Sequence, residues 1–421
     1  MIKRKGVFFL FFFIFFFNNA ATYAKYKKEI IKSFFISEQY DDNIYLLKQK
    51  ESDWITVISV GTTFILSSNR YSLSLSYSPT WTIYKDHPKS DTLRHSAKLD
   101  TKYGIKKHLW FYLSDLYEKS EEPIEEIGAW KSQTVRKNRN TYKRNLFDTK
   151  ILWQFKKRSS VSIGFKCETL RNEDPNYDNS TEYGPYFHIS YRANIKNKIE
   201  FYYYSKKNRT SREIGEPAVP SFNGYDASVR YTYYFKKNTS VFFQYKNVKR
   251  NFLRPGYNTV TVDDYSIGIY KPFSPKLSIS CALFYFKPHG FKNNKGHKGY
   301  FIDIIKRSHN AQWNVRYKKS WDEGYLESQR REFTRYNKLS ITYKKLLDRN
   351  YTFNMGFYYR KNIYQTGDEN NTYEINASLN RMINRWSQFT ISYSHLERSS
   401  TIPLDEFIDN RVTFSFQIIK R

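Results

Sequence analysis

Residues 71–83 place Tyr71, Leu73, Leu75, Tyr77, Trp81 and Ile83 on one phase and Ser72, Ser74, Ser76, Ser78, Thr80 and Thr82 on the other. A period of two is that of an extended strand whose successive side chains point to opposite faces. The same alternation runs through 227–235, 277–285, 339–343, 389–393 and 412–418. Two-faced strands repeated along one chain predict an all-β protein: a transmembrane antiparallel up-and-down β-barrel, with hydrocarbon against the apolar face and water against the polar one.

Tight polar turns centre on Asn69, Lys106, Lys157, Asn197, Lys237, Pro275, His309, Asp348 and Asn384, recurring about every 39 residues. Such a unit holds two strands of about ten residues and one longer loop. Nine turns of one kind predict about 20 strands, with 18 as the alternative count because the first pair, around 34–45 and 54–66, is less regular. The other junctions, 118–140, 171–180, 205–221, 249–260, 287–298, 320–332 and 397–409, are longer and more polar. In bacterial outer-membrane barrels the short turns face the periplasm, which predicts both termini there.

Tyr191, Tyr231 and Tyr343 precede tight turns, whereas Tyr77, Tyr317 and Tyr393 follow one by about eight residues. These positions predict two interfacial girdles, where a phenol keeps its ring in lipid and its hydroxyl among headgroups.

Lys3, Arg4 and Lys5 precede an apolar run, 6–17, that is too short to span a bilayer, and small residues surround Ala24. This predicts a signal peptide over 1–24, a short periplasmic segment over 25–33 and the barrel over 34–421. A plug domain ahead of the first strand has no room in that division. Aromatic residues make up 19% of the chain, including 38 Tyr and 34 Phe, yet mean hydropathy is −0.73, which excludes a helical membrane protein and suits a barrel with a wet lumen. Net charge is +30, but the basic residues are scattered and export removes the chain from nucleic acid, so no nucleic-acid partner is expected. Cys167 and Cys281 fall on the apolar phase as small lipid-facing residues.

Short motifs carry a resemblance. Tyr40-Asp41-Asp42-Asn43-Ile44-Tyr45 is followed by Asp53-Trp54-Ile55-Thr56, by the 71–77 strand and by Asp115-Leu116-Tyr117, and the chain closes on Asp409-Asn410-Arg411-Val412-Thr413-Phe414-Ser415-Phe416. This layout resembles the outer-membrane β-barrel porin family of the beta-barrel porin 2 type, associated with exopolysaccharide and capsule gene clusters. The resemblance implies an export or porin role without catalytic residues. The chain departs from the terminal aromatic residue common in such barrels by ending Ile418-Ile419-Lys420-Arg421.

With apolar residues assigned to lipid, the lumen face takes Arg192, Arg230, Arg316, Lys318, Lys338, Lys344, Arg360 and Arg411, interspersed with Glu200, Asp226, Asp264, Asp303 and Glu374. Charges on a pore wall set its ion preference, and the basic excess points to anions or acidic polymers; a mutually paired wall without selectivity is the alternative. The loop after Tyr117 concentrates Glu118, Glu121, Glu122, Glu125 and Glu126, a constriction element if it folds inward and a solvated loop otherwise. Loop cations Arg136, Lys137, Arg139, Lys143, Arg144, Lys206, Lys207, Arg209 and Arg212 are placed to meet lipopolysaccharide phosphates.

The eight histidines show no nucleophile and base on one face, and His and Cys show no metal-ligand spacing, so neither an enzyme nor a cofactor is expected. The partners expected are outer-membrane lipids and lipopolysaccharide, the barrel-assembly machinery, and an anionic polysaccharide or small anion as solute. The functional expectation is an outer-membrane porin or export channel. A sealed barrel acting as an adhesin or assembly partner is the alternative, and an outer-membrane hydrolase comes third.

Overall fold

The computed structural model describes residues 26–420 except 122–123, 127–132, 136–138, 216–219, 237, 291–294, 323–333, 365–366 and 402–404. The predicted signal peptide, 1–24, lies outside the described residues.

Twenty long strands form one sheet: β1 (Lys27–Asp41), β2 (Asp53–Ser67), β3 (Tyr71–Tyr84), β4 (Thr92–Lys106), β5 (Leu109–Ser120), β8 (Tyr142–Lys156), β9 (Ser159–Asn172), β10 (Asn179–Arg192), β11 (Asn197–Ser211), β12 (Phe222–Lys236), β13 (Thr239–Phe252), β14 (Val260–Ser274), β15 (Leu277–His289), β16 (His297–Arg307), β17 (Ala311–Asp322), β18 (Thr334–Leu346), β19 (Tyr351–Ile363), β20 (Glu369–Met382), β21 (Ser387–Ser400) and β22 (Phe407–Lys420). Two three-residue strands, β6 (Ile124–Glu126) and β7 (Gln133–Val135), pair with each other between β5 and β8. Each barrel strand pairs antiparallel with its sequence neighbours, and β1 pairs with β22 from Lys32↔Lys420 to Asp41↔Arg411. The sheet therefore closes, and closure leaves no edge of unpaired peptide groups to be buried in hydrocarbon.

Alternation decides which way each side chain faces. Leu75, Tyr77, Trp81 and Ile83 of β3 are exposed on the outside, as are Ile163 (61%) and Leu283 (64%), while Thr82 is buried inside. Large apolar side chains with that much exposed surface make sense only where the surrounding medium is itself apolar, so the barrel spans a membrane. No helix among the described residues is long and apolar enough to cross one.

Eight of the predicted turns are present, at 68–70, 107–108, 157–158, 193–196, 275–276, 308–310, 347–350 and 383–386; the ninth, predicted at Lys237 between the paired strands β12 and β13, lies outside the described residues. Side-chain acceptors shape several of them. Asn194 Oδ1 accepts from the backbone N–H of Lys196 and Asn197, Asn384 Oδ1 from Trp386 and Ser387, and Ser274 Oγ from Lys276 and Leu277. These local bonds substitute for ladder partners where the chain reverses. Each two-residue turn follows a register shift, at Gly104/Lys106, Trp153/Lys156 and Pro272/Ser274, and β12 has one at Tyr234/Lys236, so one extra residue adjusts the strand twist before the reversal.

Two boundaries differ from expectation. β1 begins at Lys27, so the segment assigned to 25–33 is mostly wall, already paired to β2 through Lys27↔Ser67. The strands hold 11 to 15 residues rather than about ten, and the long junctions shrink accordingly, 205–221 to 212–221 for example. The strands run past the bilayer at the long-loop end, where polar residues still pair their backbones in the ladder.

The buried residues collect at that same end. Ile44, Ile55 and Tyr84 form one cluster, Leu46, Leu396 and Phe407 a second, and Val248, Val262, Phe286 and Trp321 a third. The first two exist because the β1–β2 loop, 42–52, folds inward.

Candidate functional site: the barrel lumen

The inner wall is divided into sectors. On β20, β21, β22, β1, β2 and β3 the inward positions carry mostly Ser, Thr, Asn and Gln with a few apolar side chains; the charged ones are Glu374 and Arg411, with Glu29, Asp41, Asp53, Arg398 and Asp409 among those toward the strand ends. Their hydroxyls bond to one another, as in Ser59 to Ser78 (2.9 Å), Thr80 to Ser59 (2.9 Å) and Thr63 to Ser76 (2.9 Å). From β4 to β19 the wall is charged and aromatic. A recess of about 250 Å³, lined by Ser72, Asp100, Lys102, Tyr112, Asp148 and Lys150, combines both characters, since Lys102 and Lys150 each lie over the Tyr112 ring.

The eight predicted pore-lining cations all occupy the phase opposite the exposed apolar residues, but they are not equivalent. Arg316 forms a two-pronged pair with Asp303, 3.0 Å at each prong. Arg411 bonds Asp409 (2.8 Å) and lies 3.2 Å from Asp41. Arg192 donates to the carbonyls of Asn194 and Ile195 and belongs to a turn. Arg230 lies over the Phe242 ring at 3.9 Å. Lys344 lies near the short-turn end of β18, opposite Gln312 and Asn354.

The other three make a row. Lys338 on β18 is directly opposite Lys318 on β17 and Arg360 on β19. Directly opposed side chains have Cβ atoms about 5 Å apart, and like charges at that spacing repel. Aromatic faces offset part of this, with Lys318 over Phe284 (5.9 Å) and both Lys318 (5.8 Å) and Arg360 (5.1 Å) over Tyr336. Arg360 also donates to Asn362 at 2.7 Å.

Around β10 to β13 cations and carboxylates pair across the wall. Lys206 sits 3.3 Å from both Glu182 and Asp226, and Arg250 donates to Asp226 at 2.6 Å. Asp264 accepts from the Trp321 indole at 3.1 Å, and Glu200 pairs with Lys198 at 2.7 Å. His188 is inward, across from Tyr202, and forms part of the same wall.

At the long-loop end the chain itself occupies space inside the barrel. Asn43 is completely buried: its side-chain amide donates to Leu47 O (2.7 Å) and Ile408 O (2.8 Å), and its Oδ1 accepts from Leu47 N–H. Arg139, from the β5–β8 loop, reaches over this segment with a side chain 2% exposed. It donates to Ile44 O (2.7 Å), the Tyr84 hydroxyl (2.7 Å) and Asp41 (3.0 Å). Asp53, with no exposed side-chain surface, accepts from the backbone N–H groups of Asp86 and His87 and bonds the His87 ring (2.9 Å).

Of the predicted constriction glutamates, Glu121 is buried and bonded to Arg94 of β4 at 2.8 Å, and Glu118 occupies an inward position on β5. Glu122 lies outside the described residues, as do the side chains of Glu125 and Glu126 in β6. A described segment that does fold into the mouth is 42–52, of which strand alternation gives no sign.

Three cations expected on outward loops belong to the interior. Arg139 is buried, Arg144 faces inward on β8 with Glu168 (2.8 Å), and Lys206 is the inward residue on β11 described above. Alternation identifies Arg144 and Lys206 once the strands are extended past ten residues. Arg136 and Lys137 lie outside the described residues. Cys167 and Cys281 occupy outward positions on β9 and β15, where the alternation places them.

No family model matches the chain, and no curated protein is significantly similar to it. Solved structures are similar in fold. The siderophore receptor PirA from Pseudomonas aeruginosa gives a TM-score of 0.55 at 7% identity, over 94% of this chain and 81% of that one. OccK5 (OpdH) from the same organism gives 0.49 at 11% identity over 94% and 99%, and OccAB4 from Acinetobacter baumannii gives 0.45 at 13% identity over 93% and 98%.

Proposed function

We propose that this barrel is an outer-membrane porin that passes a polar anionic solute, with its short turns and both termini in the periplasm and its long loops outside. The observation that carries this reading is the Lys318–Lys338–Arg360 row: three cations held in register on the inner face, supported by rings. Three directly opposed cations on the inner face lower the barrier for an anion passing that height and raise it for a cation. The solute needs no covalent step, only a hydrated path. The resemblance to exopolysaccharide-associated porins adds an acidic polysaccharide as the solute class, its carboxylates meeting the cation row and its hydroxyls the Ser/Thr/Asn wall.

Planar-bilayer recording under a salt gradient tests this. The refolded protein should show channels with a reversal potential of anion preference, and Lys318→Gln/Lys338→Gln/Arg360→Gln should move that potential toward zero. Wild-type channels that prefer cations, or a triple variant with unchanged preference, would overturn the reading. The inserted 42–52 segment supports a second reading, a barrel sealed at the mouth that acts as a surface or assembly component; complete absence of channels from correctly folded protein would favour it.

A further inference from the structure

At the long-loop end the outer surface carries cations on one side: Lys119, Lys143 and Arg171 face outward on β5, β8 and β9, where Glu173 lies 3.9 Å from Lys119 and 3.1 Å from Lys143. Farther round that side, the outward positions include Lys207 on β11, Lys249 on β13, Lys287 on β15, Lys298 on β16, Lys319 on β17 and Arg335 on β18. Lys207, Lys287, Lys298 and Lys319 are exposed. None of the six makes an ion pair among the described residues. The corresponding outward positions on β20 through β22 and β1 through β4 hold Tyr373, Tyr393, His395, Glu397, Asn410, Tyr40, Trp54, Trp81 and His95, without a lysine or arginine. Cations spread only to keep a surface soluble would not leave seven neighbouring strands bare.

Depth identifies what the cations meet. On three adjacent strands each lysine has a tyrosine two residues nearer mid-membrane: Tyr285 below Lys287, Tyr300 below Lys298 and Tyr317 below Lys319. Across the ladder Tyr285 is opposite Lys298 and Tyr300 opposite Lys319, while Tyr300 and Tyr317 stack at 5.2 Å. Tyr285 and Tyr300 are 44% and 41% exposed on the outer face. Exposed tyrosines mark the boundary of hydrocarbon, so ammonium groups one step above them lie at the depth of lipid phosphates. Asp263 is directly opposite Lys287 but is engaged by the Tyr245 hydroxyl, the Asn247 amide and, at 3.2 Å, the His289 ring, so a phosphate supplies the charge complement for the lysines.

We infer that the outward face of β11–β18 is a binding surface for a phosphorylated lipid of the leaflet at the long-loop end, with Lys287, Lys298 and Lys319 as its centre. The barrel thereby has a lipid-bound side and a bare side. This does not depend on what the lumen transports.

Native mass spectrometry of the full-length refolded protein in detergent, titrated with bisphosphorylated lipid A, reads the interaction. K287Q/K298Q/K319Q should lose about a hundredfold in affinity, at about fivefold per cation. K107Q/K157Q/K276Q, which removes equal charge at the short turns, should retain the wild-type affinity. Equal losses in the two triples, equal retention of dephosphorylated lipid A, or displacement of the lipid by inorganic phosphate would each overturn the assignment. Heat-modified electrophoretic mobility verifies that each variant is a formed barrel; if the triple fails that check, Lys298→Gln alone should lose about fivefold, and an unchanged affinity would overturn the inference.

Discussion

Single residues hold the mouth in place. Arg139 is the clearest case, because its guanidinium satisfies a backbone carbonyl, a phenol and a buried carboxylate at once. Arg139→Ala leaves Asp41 with Arg411 as its remaining cation, so the expected loss is at the lower end for a broken buried pair, about 3 kcal/mol, measured by urea unfolding in detergent. Asp42 sits beside this site in the β1–β2 loop. Burial alone would raise its pKa, but hydrogen bonds from Lys50 and from the Asn410 side chain and backbone outweigh it and hold the carboxyl below its ordinary value. A depressed folded pKa stabilises above the unfolded value of about 4, and that contribution disappears as pH falls through the folded value. Stability of the loop should therefore be flat from neutral pH down to about 5 and decline below about 4. Asp42→Asn should flatten that decline in hydrogen exchange of the 42–52 amides.

Strands succeed or fail by their neighbours. Gly184 of β10 lies where a Cβ would run into the carbonyl oxygen of Ser205 on β11, and Pro185 beside it has no N–H to give the ladder. Gly184→Val should force β10 and β11 apart locally at a cost of about 2 kcal/mol, read as a lowered urea midpoint and faster exchange of β11 amides near Ser205. This is also the scale at which the sequence is most legible. The turns at Asn194, Ser274 and Asn384 can be found because their residues make bonds two or three positions away, and the faces of Arg230 and Lys338 because alternation is a property of neighbours. The burial of Arg139 cannot be found this way. It depends on a carboxylate 98 positions distant in the chain that is brought near where the loop folds over the mouth. Arg144 and Lys206 escape for a different reason: the ladder continues beyond the hydrocarbon, and polarity at a strand end resembles a loop.

Taken as one object, the barrel is asymmetric on both surfaces. Inside, hydroxyl and amide side chains on β20–β3 face a charged and aromatic arc on β4–β19. Outside, at the long-loop end, cations are spread between β5 and β18 and are absent from β20–β4. The two divisions fall on similar strands, so the arc with the hydroxyl and amide lining is also the one bare of cations outside at the long-loop end. Loss of anion preference in the lumen triple and loss of lipid affinity in the outer triple should be separable, because the two sets of side chains project to opposite sides of the sheet.

The stitching of 42–52 to the final strand has a consequence for biogenesis. Asn43 grips the carbonyl of Ile408, and Asp42 takes both the backbone and the side-chain amide of Asn410, so the N-terminal hairpin can complete its fold only against the segment synthesised last. A chain that stops short of β22 would lack both the closing ladder and the anchor for its own entrance. An incomplete product would thus remain recognisably unfinished at both places, and proofreading of the seam and of the doorway becomes a single event.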